Sequence, residues 1–240
     1  MKTPPSSRLR ALRVMECSSQ SPILYELLVF FPTIEFLATG IEIVAPPPKV
    51  PAKFKLYELT MFRTLTPEIF SWLLANSLDT LRIVELRDLP SAEVTAVLVG
   101  CGHQLQSFRA MKYHTNTAKI VQSCTNLQEL VILGIPSIPP FTIQRLPLTL
   151  EHLSLVHSHS DPSVGIADMM MLVKNSSKLK LLSCDGRFKR DPLYGVFHDI
   201  CMKKGIEVES SEYGLWPNEE PVKAFNFPRG RTMLNLRAMN

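Results

Sequence analysis

An α/β fold of repeated strand–helix units is predicted for this chain by three observations. A short apolar phrase recurs along most of its length at nearly regular intervals. The stretches between the phrases carry apolar residues at helical spacing, several of them opened by a capping residue directly ahead of a proline. The composition, 45% hydrophobic and 20% charged, is that of a chain able to bury a core.

The phrase has the form L-x-x-L-x-L. It stands at Leu9, Leu12, Val14, with Cys17 following; at Ile34, Leu37, Thr39; and at Leu56, Leu59, Met61. It continues at Leu78, Leu81, Ile83, Leu86; at Leu105, Phe108, Ala110; and at Leu127, Leu130, Ile132, Ile135. Leu150, Leu153, Leu155 and Leu179, Leu182, Cys184 complete the series. Successive starts lie 22 to 29 residues apart, within the roughly 20–29 residue period of leucine-rich repeats. The second and fifth units depart most from the template. A strand sends alternate residues into a core, so in the fourth unit Leu81 and Ile83 are expected to point inward and Arg82 and Val84 outward. The predicted architecture is a leucine-rich-repeat solenoid, a right-handed horseshoe of about eight repeats with a parallel sheet on its concave face.

Between strands the pattern turns helical. Ser21-Pro22, Thr66-Pro67, Asp161-Pro162 and Asp191-Pro192 each place a capping oxygen before a proline. The oxygen accepts from an orphan N–H, and proline lacks a donor that the first turn would leave unpaired. Ser91-Ala92-Glu93 is a related acidic start. Ile69, Phe70, Leu73, Leu74 and Ile166, Met169, Met170, Val173 give apolar faces behind two of these starts. Gly205 should end the helix after Asp191, and Ile206 and Val208 mark one more short strand. Prolines 46, 47, 48 and 51 make residues 44–53 a stiff loop on the rim between the second and third units.

The organisation is a short lead over 1–8, a repeat domain over 9–210, and a cap or tail over 211–240, where Leu215, Trp216 and Phe225 could cover the last repeat. A solenoid end exposes apolar core unless covered. The first unit is expected to belong to a longer protein or to pair its edge with a partner.

Composition excludes several function classes. The net charge of +4 comes without a basic run or interleaved aromatics, so nucleic acid is not an expected partner. Five cysteines, odd in number and without C-x-x-C spacing, point to a reducing compartment. Residues 1–14 have no signal-peptide core, and the apolar stretch 23–31 is interrupted by Glu26 and too short to span a bilayer. No membrane association is expected, and the location is cytoplasmic or nuclear. The sequon at Asn175-Ser176-Ser177 has no meaning without secretion.

The segments CTNLQELVILGI, LPLTLEHLSL, FKLYELTMFRTLTPEIFSWLLANSLDTLRIVELRDLP and CMKKGIEVE resemble the repeat region of fungal F-box and leucine-rich-repeat proteins, above all those of mushroom-forming fungi. The likeness spans roughly residues 9–210. In that family an F-box docks on a cullin-type ubiquitin ligase and the repeats select the substrate. The stretch ahead of Leu9 is too short for an F-box and no L-P-x-E run occurs. The resemblance therefore implies a recognition scaffold without its docking module. The alternative is a truncated repeat fragment with no ligase role.

Enzyme signatures are missing: there is no phosphate loop, no G-x-S-x-G and no H-E-x-x-H. His152, His157 and His159, and Cys101 with His103, would have to converge to hold a metal. Strand and turn send these side chains in different directions, so no metal or cofactor is expected. Cys17, Cys124 and Cys184 fall on core positions, and Met169, Met170 and Met171 are core filler.

The middle residue of each strand should face the concave surface: Arg13, Ala38, Thr60, Arg82, Arg109, Val131, Ser154 and Ser183. Thr80, Ser107, Met111, Glu129 and His152 flank that row. Of these, Arg13, Thr60, Arg82, Arg109, Met111, Glu129, His152 and Ser154 are the candidate partner-binding residues. Arg82 and Arg109, expected side by side, would anchor an acidic or phosphorylated protein segment through bidentate bonds.

Overall fold

The computed structural model describes residues 9–15, 18–19, 22–40, 42–111, 113–132, 146–155 and 165–211. Nine strands form one parallel sheet: β1 (Ala11–Val14), β3 (Phe36–Thr39), β5 (Glu58–Met61), β6 (Ile83–Leu86), β7 (Ser107–Ala110), β8 (Glu129–Ile132), β9 (His152–Leu155), β10 (Leu181–Asp185) and β11 (Glu207–Ser211). Their order in the sheet is their order in the sequence, so each strand pairs only with the units before and after it. β2 (Ser18–Ser19) and β4 (Glu42–Ile43) make a second, two-stranded sheet. The helices are α1 (Ile23–Phe30), α2 (Pro67–Leu74), α3 (Ala92–Cys101), α4 (Thr115–Ser123), α5 (Ile166–Asn175) and α6 (Tyr194–Lys203). The fold is an α/β arrangement of solenoid-like, nearest-neighbour stacking.

The second and fourth residues of the strands supply the core. Leu37, Leu59, Val84, Phe108, Leu130, Leu153 and Leu182 are buried together with Ile69, Phe70, Leu98, Ile120, Met169, Val173 and Phe197 from the helices. The residue that opens each phrase lies in the same core, as Ile34, Leu56, Leu81, Leu105, Leu127, Leu150 and Leu179 do. That three-position pattern is why L-x-x-L-x-L recurs.

Register is held by a repeated backbone device. In the nine-stranded sheet, the carbonyl just ahead of each strand from β1 to β9 accepts two N–H groups from the next unit. Glu35 and Phe36 donate to Arg10, Tyr57 and Glu58 to Glu35, Arg82 and Ile83 to Tyr57, and Gln106 and Ser107 to Arg82. Gln128 and Glu129 donate to Gln106, Glu151 and His152 to Gln128, and Lys180 and Leu181 to Glu151. Threonine adds a side-chain rung: Thr33, Thr80 and Thr149 donate to the carbonyls of Leu9, Leu56 and Leu127 at 2.8, 2.8 and 2.7 Å. Each bond satisfies a carbonyl that the turn into the strand would otherwise orphan.

This register corrects the fourth unit. The phrase begins at Leu81, not Leu78, and runs Leu81, Val84, Leu86. Leu81 is 0% exposed and Leu78 41%. Ile83 and Glu85 therefore face away from the core, and Arg82 lies ahead of the strand. Leu78 and Leu81 both fit the template by type. The spacing to the neighbouring units, 25 residues from Leu56 and 24 to Leu105, is the more even with Leu81.

Helix starts are mixed. Thr66 Oγ1 accepts from Ile69 N–H at 3.4 Å with Pro67 first in α2, and Ser91 Oγ accepts from Val94 N–H at 3.2 Å. Asp161 lies outside the described residues; α5 begins at Ile166 behind Gly165, where Asp168 accepts from Gly165 N–H at 3.2 Å. Asp191 accepts from Leu193 N–H at 2.8 Å and shapes the turn before α6 instead of capping the helix. Ser21 lies outside the described residues. Gly205, with φ of 69°, ends α6: Gly205 N–H donates to Met202 and Ile206 N–H to Cys201, the paired bonds of a left-handed C-cap.

The proline-rich loop is exposed or half-buried over most of 44–53 and is anchored inward at Ala52. It fills the layer where a helix would stand between β3 and β5. Ala52 and Phe54 are wholly buried. Tyr25 Oη donates to Ala45 O, Trp72 Nε1 donates to Val50 O at 2.8 Å, and Asn76 donates to Ala52 O. Trp72 also meets Tyr25 and Phe54 edge-on, with ring centroids 5.1 and 5.9 Å away. Prolines bring no N–H to satisfy, which eases burial of an irregular segment.

Three substitutions test this packing in urea unfolding. Leu81→Ala should cost about 2–5 kcal/mol by opening a cavity, whereas Leu78→Ala should change stability by about 0.5 kcal/mol or less. At Gly102 an added Cβ would stand 2.0 Å from Ser123 Oγ. Gly102→Ala should therefore lower stability by about 1–3 kcal/mol.

Candidate functional site

The first and third residues of each strand lie on the sheet face away from the helical core. Cα pairing aligns them in two rows. The first runs Ala11, Phe36, Glu58, Ile83, Ser107, Glu129, His152, Leu181, Glu207. The second runs Arg13, Ala38, Thr60, Glu85, Arg109, Val131, Ser154, Ser183, Glu209. Adjacent parallel strands about 4.8 Å apart let neighbours in a row touch.

A buried charge cluster occupies the middle. Arg109 is 2% exposed, Glu129 1% and His152 1%. Arg109 Nη2 stands 2.8 Å from Glu129 Oε1, and Arg109 Nη1 stands 3.9 Å from Glu85 Oε2. Arg87 Nε donates to Glu85 Oε1 at 3.0 Å, and its guanidinium lies 3.9 Å over the Phe62 ring. Ser107 Oγ donates to the second Glu129 oxygen at 2.6 Å. On the far side His152 Nδ1 is 3.4 Å from Glu129 Oε1, His152 Nε2 is 3.4 Å from Ser183 Oγ, and Ser183 Oγ donates to Glu209 Oε2 at 3.4 Å. Signs alternate along the chain of contacts, so each buried charge meets its opposite.

The electrostatics follow. Burial on its own would push the Glu129 carboxyl up. The positive charge of Arg109, then the hydrogen bond and charge of His152 and the Ser107 hydroxyl, outweigh it and hold the carboxyl below its ordinary value. Glu209 moves the other way, raised by burial and by the like charge of Glu207.

Ser183, His152 and Glu129 are the residue types of a hydrolase triad, but their bonding differs from one. The Ser183 hydroxyl stands 3.4 Å from Glu209 Oε2 and equally 3.4 Å from His152 Nε2. Both Glu129 oxygens are engaged by Arg109 and Ser107 at 2.8 and 2.6 Å, against 3.4 Å for His152.

The described cysteines are core residues. Cys101, Cys124, Cys184 and Cys201 are buried. Burial pushes the Cys124 thiol up to about 12 and the Cys201 thiol to about 11. Among the described residues no three metal-binding side chains converge. His157, His159 and Cys17 lie outside the described residues.

The residues expected on this face divide. Arg13, Thr60, Arg109, Glu129, His152 and Ser154 are there, with Arg13 exposed at the β1 edge and its guanidinium 5.7 Å over Phe62. Met111 follows β7 and is half-buried. Arg82 is not in the row. It lies on the rim and donates to Asp79 O, Leu81 O and Gln104 Oε1 at 2.9, 3.0 and 3.0 Å. It borders an open groove of about 430 Å³ with Gln106, Gln128 and Glu151. Thr80 is a backbone rung instead of a flanking site residue. Arg82 and Arg109 are therefore not adjacent, and Arg109 is already paired with carboxylates. The expected anion anchor does not exist. Glu85 and Arg87 were missed because the slipped register put Arg82 in the place of Glu85. Aligning Val84 with Phe108 would have found them.

Removing one partner leaves a buried charge exposed to low dielectric, so Glu129→Ala should cost about 3–5 kcal/mol. Joint replacement, Arg109→Met with Glu129→Leu, should recover most of that loss. The Glu129 contribution is complete above the ordinary carboxylate value of 4.5 and is lost as pH falls through the lower folded value. A pH series of urea melts should accordingly show stability falling below that point, with a shallower fall in Glu129→Gln.

In comparison with known proteins, no family model matches the chain, and no curated protein is significantly similar to it.

Proposed function

We propose that the chain is a leucine-rich-repeat solenoid, a right-handed horseshoe, that serves as a protein-recognition scaffold. The observation that carries this reading is the sheet face away from the helices. Nine parallel strands in sequence order place two rows of side chains on one rigid frame, and the residue type changes at every rung but Ser154–Ser183. Rigid frames that present varied side chains are how repeat proteins recognise extended partners. On the resemblance of its repeats to fungal F-box and leucine-rich-repeat proteins, the recognised protein is a substrate for ubiquitin-dependent turnover in the cytoplasm or nucleus.

The charge pattern sets the partner chemistry. Arg13 stands at the β1 end of the rows and Glu207 and Glu209 at the β11 end, with paired charges between. A segment acidic at one end and basic at the other matches that gradient better than a uniformly anionic one. No described helix is long and apolar enough to cross a membrane.

A pull-down from host extract tests the reading, with the native chain beside a Thr60→Arg, Ser154→Arg variant of unchanged circular dichroism. A protein retained by the first should fall about tenfold or more with the second, the equivalent of about 1.4 kcal/mol. Cullin-type ligase subunits among the retained proteins would support the turnover role. Equal retention by both chains would remove the face from the proposal, and specific retention by neither would remove the scaffold reading.

A further inference from the structure

The rim ahead of the strands carries a row of its own. The pairing that aligns Ile83, Ser107, Glu129 and His152 also aligns the residues before them, Arg82, Gln106, Gln128 and Glu151. These four line the open groove of about 430 Å³. Their backbone N–H and C=O groups are all used in holding register, so side chains are what the row offers to a ligand.

Arg82 is held through one nitrogen. Its Nη1 donates to Asp79 O, Leu81 O and Gln104 Oε1 at 2.9, 3.0 and 3.0 Å. Gln104 is itself fixed, with Nε2 donating to Leu78 O at 2.6 Å. The Nε and Nη2 edge of the guanidinium is left without an acceptor among the described residues. That edge is the side-on fork that bonds both oxygens of a carboxylate. Fixing the side chain from behind removes part of the rotamer entropy that binding would otherwise cost.

The next two rungs are neutral. Gln106 is half-buried and Gln128 exposed, and neither side-chain amide has a partner among the described residues. Adjacent strands set them about 4.8 Å apart. An amide both donates and accepts, so the pair can meet the N–H and C=O groups of a chain laid across the strands. At the far end Glu151 Oε2 is 2.6 Å from Lys180 Nζ, which leaves Oε1 to accept from a ligand.

We propose that this rim groove binds an extended acidic segment of a partner protein. A glutamate or aspartate side chain takes the free edge of Arg82, and the backbone beside it takes the amides of Gln106 and Gln128. From β6 to β9 the row makes three strand steps. That is roughly 14 Å, the length of about four extended residues. Nucleic acid fits the groove less well. No phenyl, phenol or indole ring stands among the described residues that line it, so a base has no platform. Glu151 would repel a run of phosphates. The groove lies outside the two rows of the sheet face, so this site goes beyond the recognition reading above and is tested without it.

The test follows the isotope-labelled full chain by NMR. The probes are two mixtures of acetylated, amidated hexapeptides with randomised flanks of glycine, alanine, serine and asparagine. One mixture has a fixed glutamate and the other a glutamine in its place. The glutamate mixture should shift the Arg82 Nε–H signal and the side-chain amides of Gln106 and Gln128, and should bind about tenfold or more tighter than the glutamine mixture. Arg82→Lys keeps the charge without the fork and should weaken binding about tenfold. Gln106→Ala with Gln128→Ala removes only amides that hold nothing in the chain, and should weaken it about fivefold or more. If Arg82→Lys loses the fold, as its amide spectrum would show, that double variant decides: weaker binding supports the groove and unchanged binding refutes it. Absence of shifts at Arg82, Gln106 and Gln128 overturns the proposal, as does equal affinity for the two mixtures. Binding of a phosphoserine mixture alone, or of oligouridylate more tightly than the glutamate mixture, overturns it too.

Discussion

The fold depends on one backbone constraint: a carbonyl ahead of each sheet strand from β1 to β9 that receives two N–H groups from the unit after it. A four-residue strand has too few ladder bonds to fix its own alignment, and a slip of one residue would exchange its core and outer side chains. The doubled acceptance at Arg10, Glu35, Tyr57, Arg82, Gln106, Gln128 and Glu151 removes that freedom at every step from β1 to β10. With register fixed, the leucines of successive phrases stack and the two outer rows line up. Everything on the outer face, including which charges meet, is inherited from this alignment.

The alignment explains how a charge cluster survives without water. Desolvating a carboxylate or a guanidinium is costly, and the cost is offset only where geometry is good and remaining lone pairs are used. Glu129 meets this condition with Arg109 and Ser107 from β7 and His152 from β9 around it. The contacts join β6, β7, β8, β9, β10 and β11 side by side. The cluster thus ties together units that share only nearest-neighbour backbone bonds.

Much of this was legible in the sequence, and the failures have physical causes. Seven of the eight phrases mark strands where they were expected, because burial demands apolar residues at fixed offsets and leaves a readable trace. The fourth failed because Leu78 and Leu81 are interchangeable by type, and spacing, not residue identity, separated them. Thr66 and Ser91 announced their helices through local bonds that need no tertiary context. Asp191 formed an equally local bond to a different N–H, and sequence does not distinguish a turn cap from a helix cap. The candidate site was half legible. Facing positions follow from strand alternation, so Arg109, Glu129, His152 and Ser154 were placed. Their mutual pairing depends on cross-strand register, so Glu85 and Arg87 went unseen and Arg82 was given a neighbour it does not have.

Arrays of this kind change length by gaining or losing whole units, since each unit touches only the next. The charge cluster makes that freedom uneven. An extra unit between β3 and β5, where an irregular proline loop already replaces a helix, would separate Ala38 from Thr60 and part no ion pair of the cluster. An extra unit between β7 and β8 would carry Arg109 away from Glu129 and strand both in the interior. Duplication and deletion in such a lineage should therefore concentrate toward the N-terminal end of the array, while the span from β6 to β9 keeps its unit count.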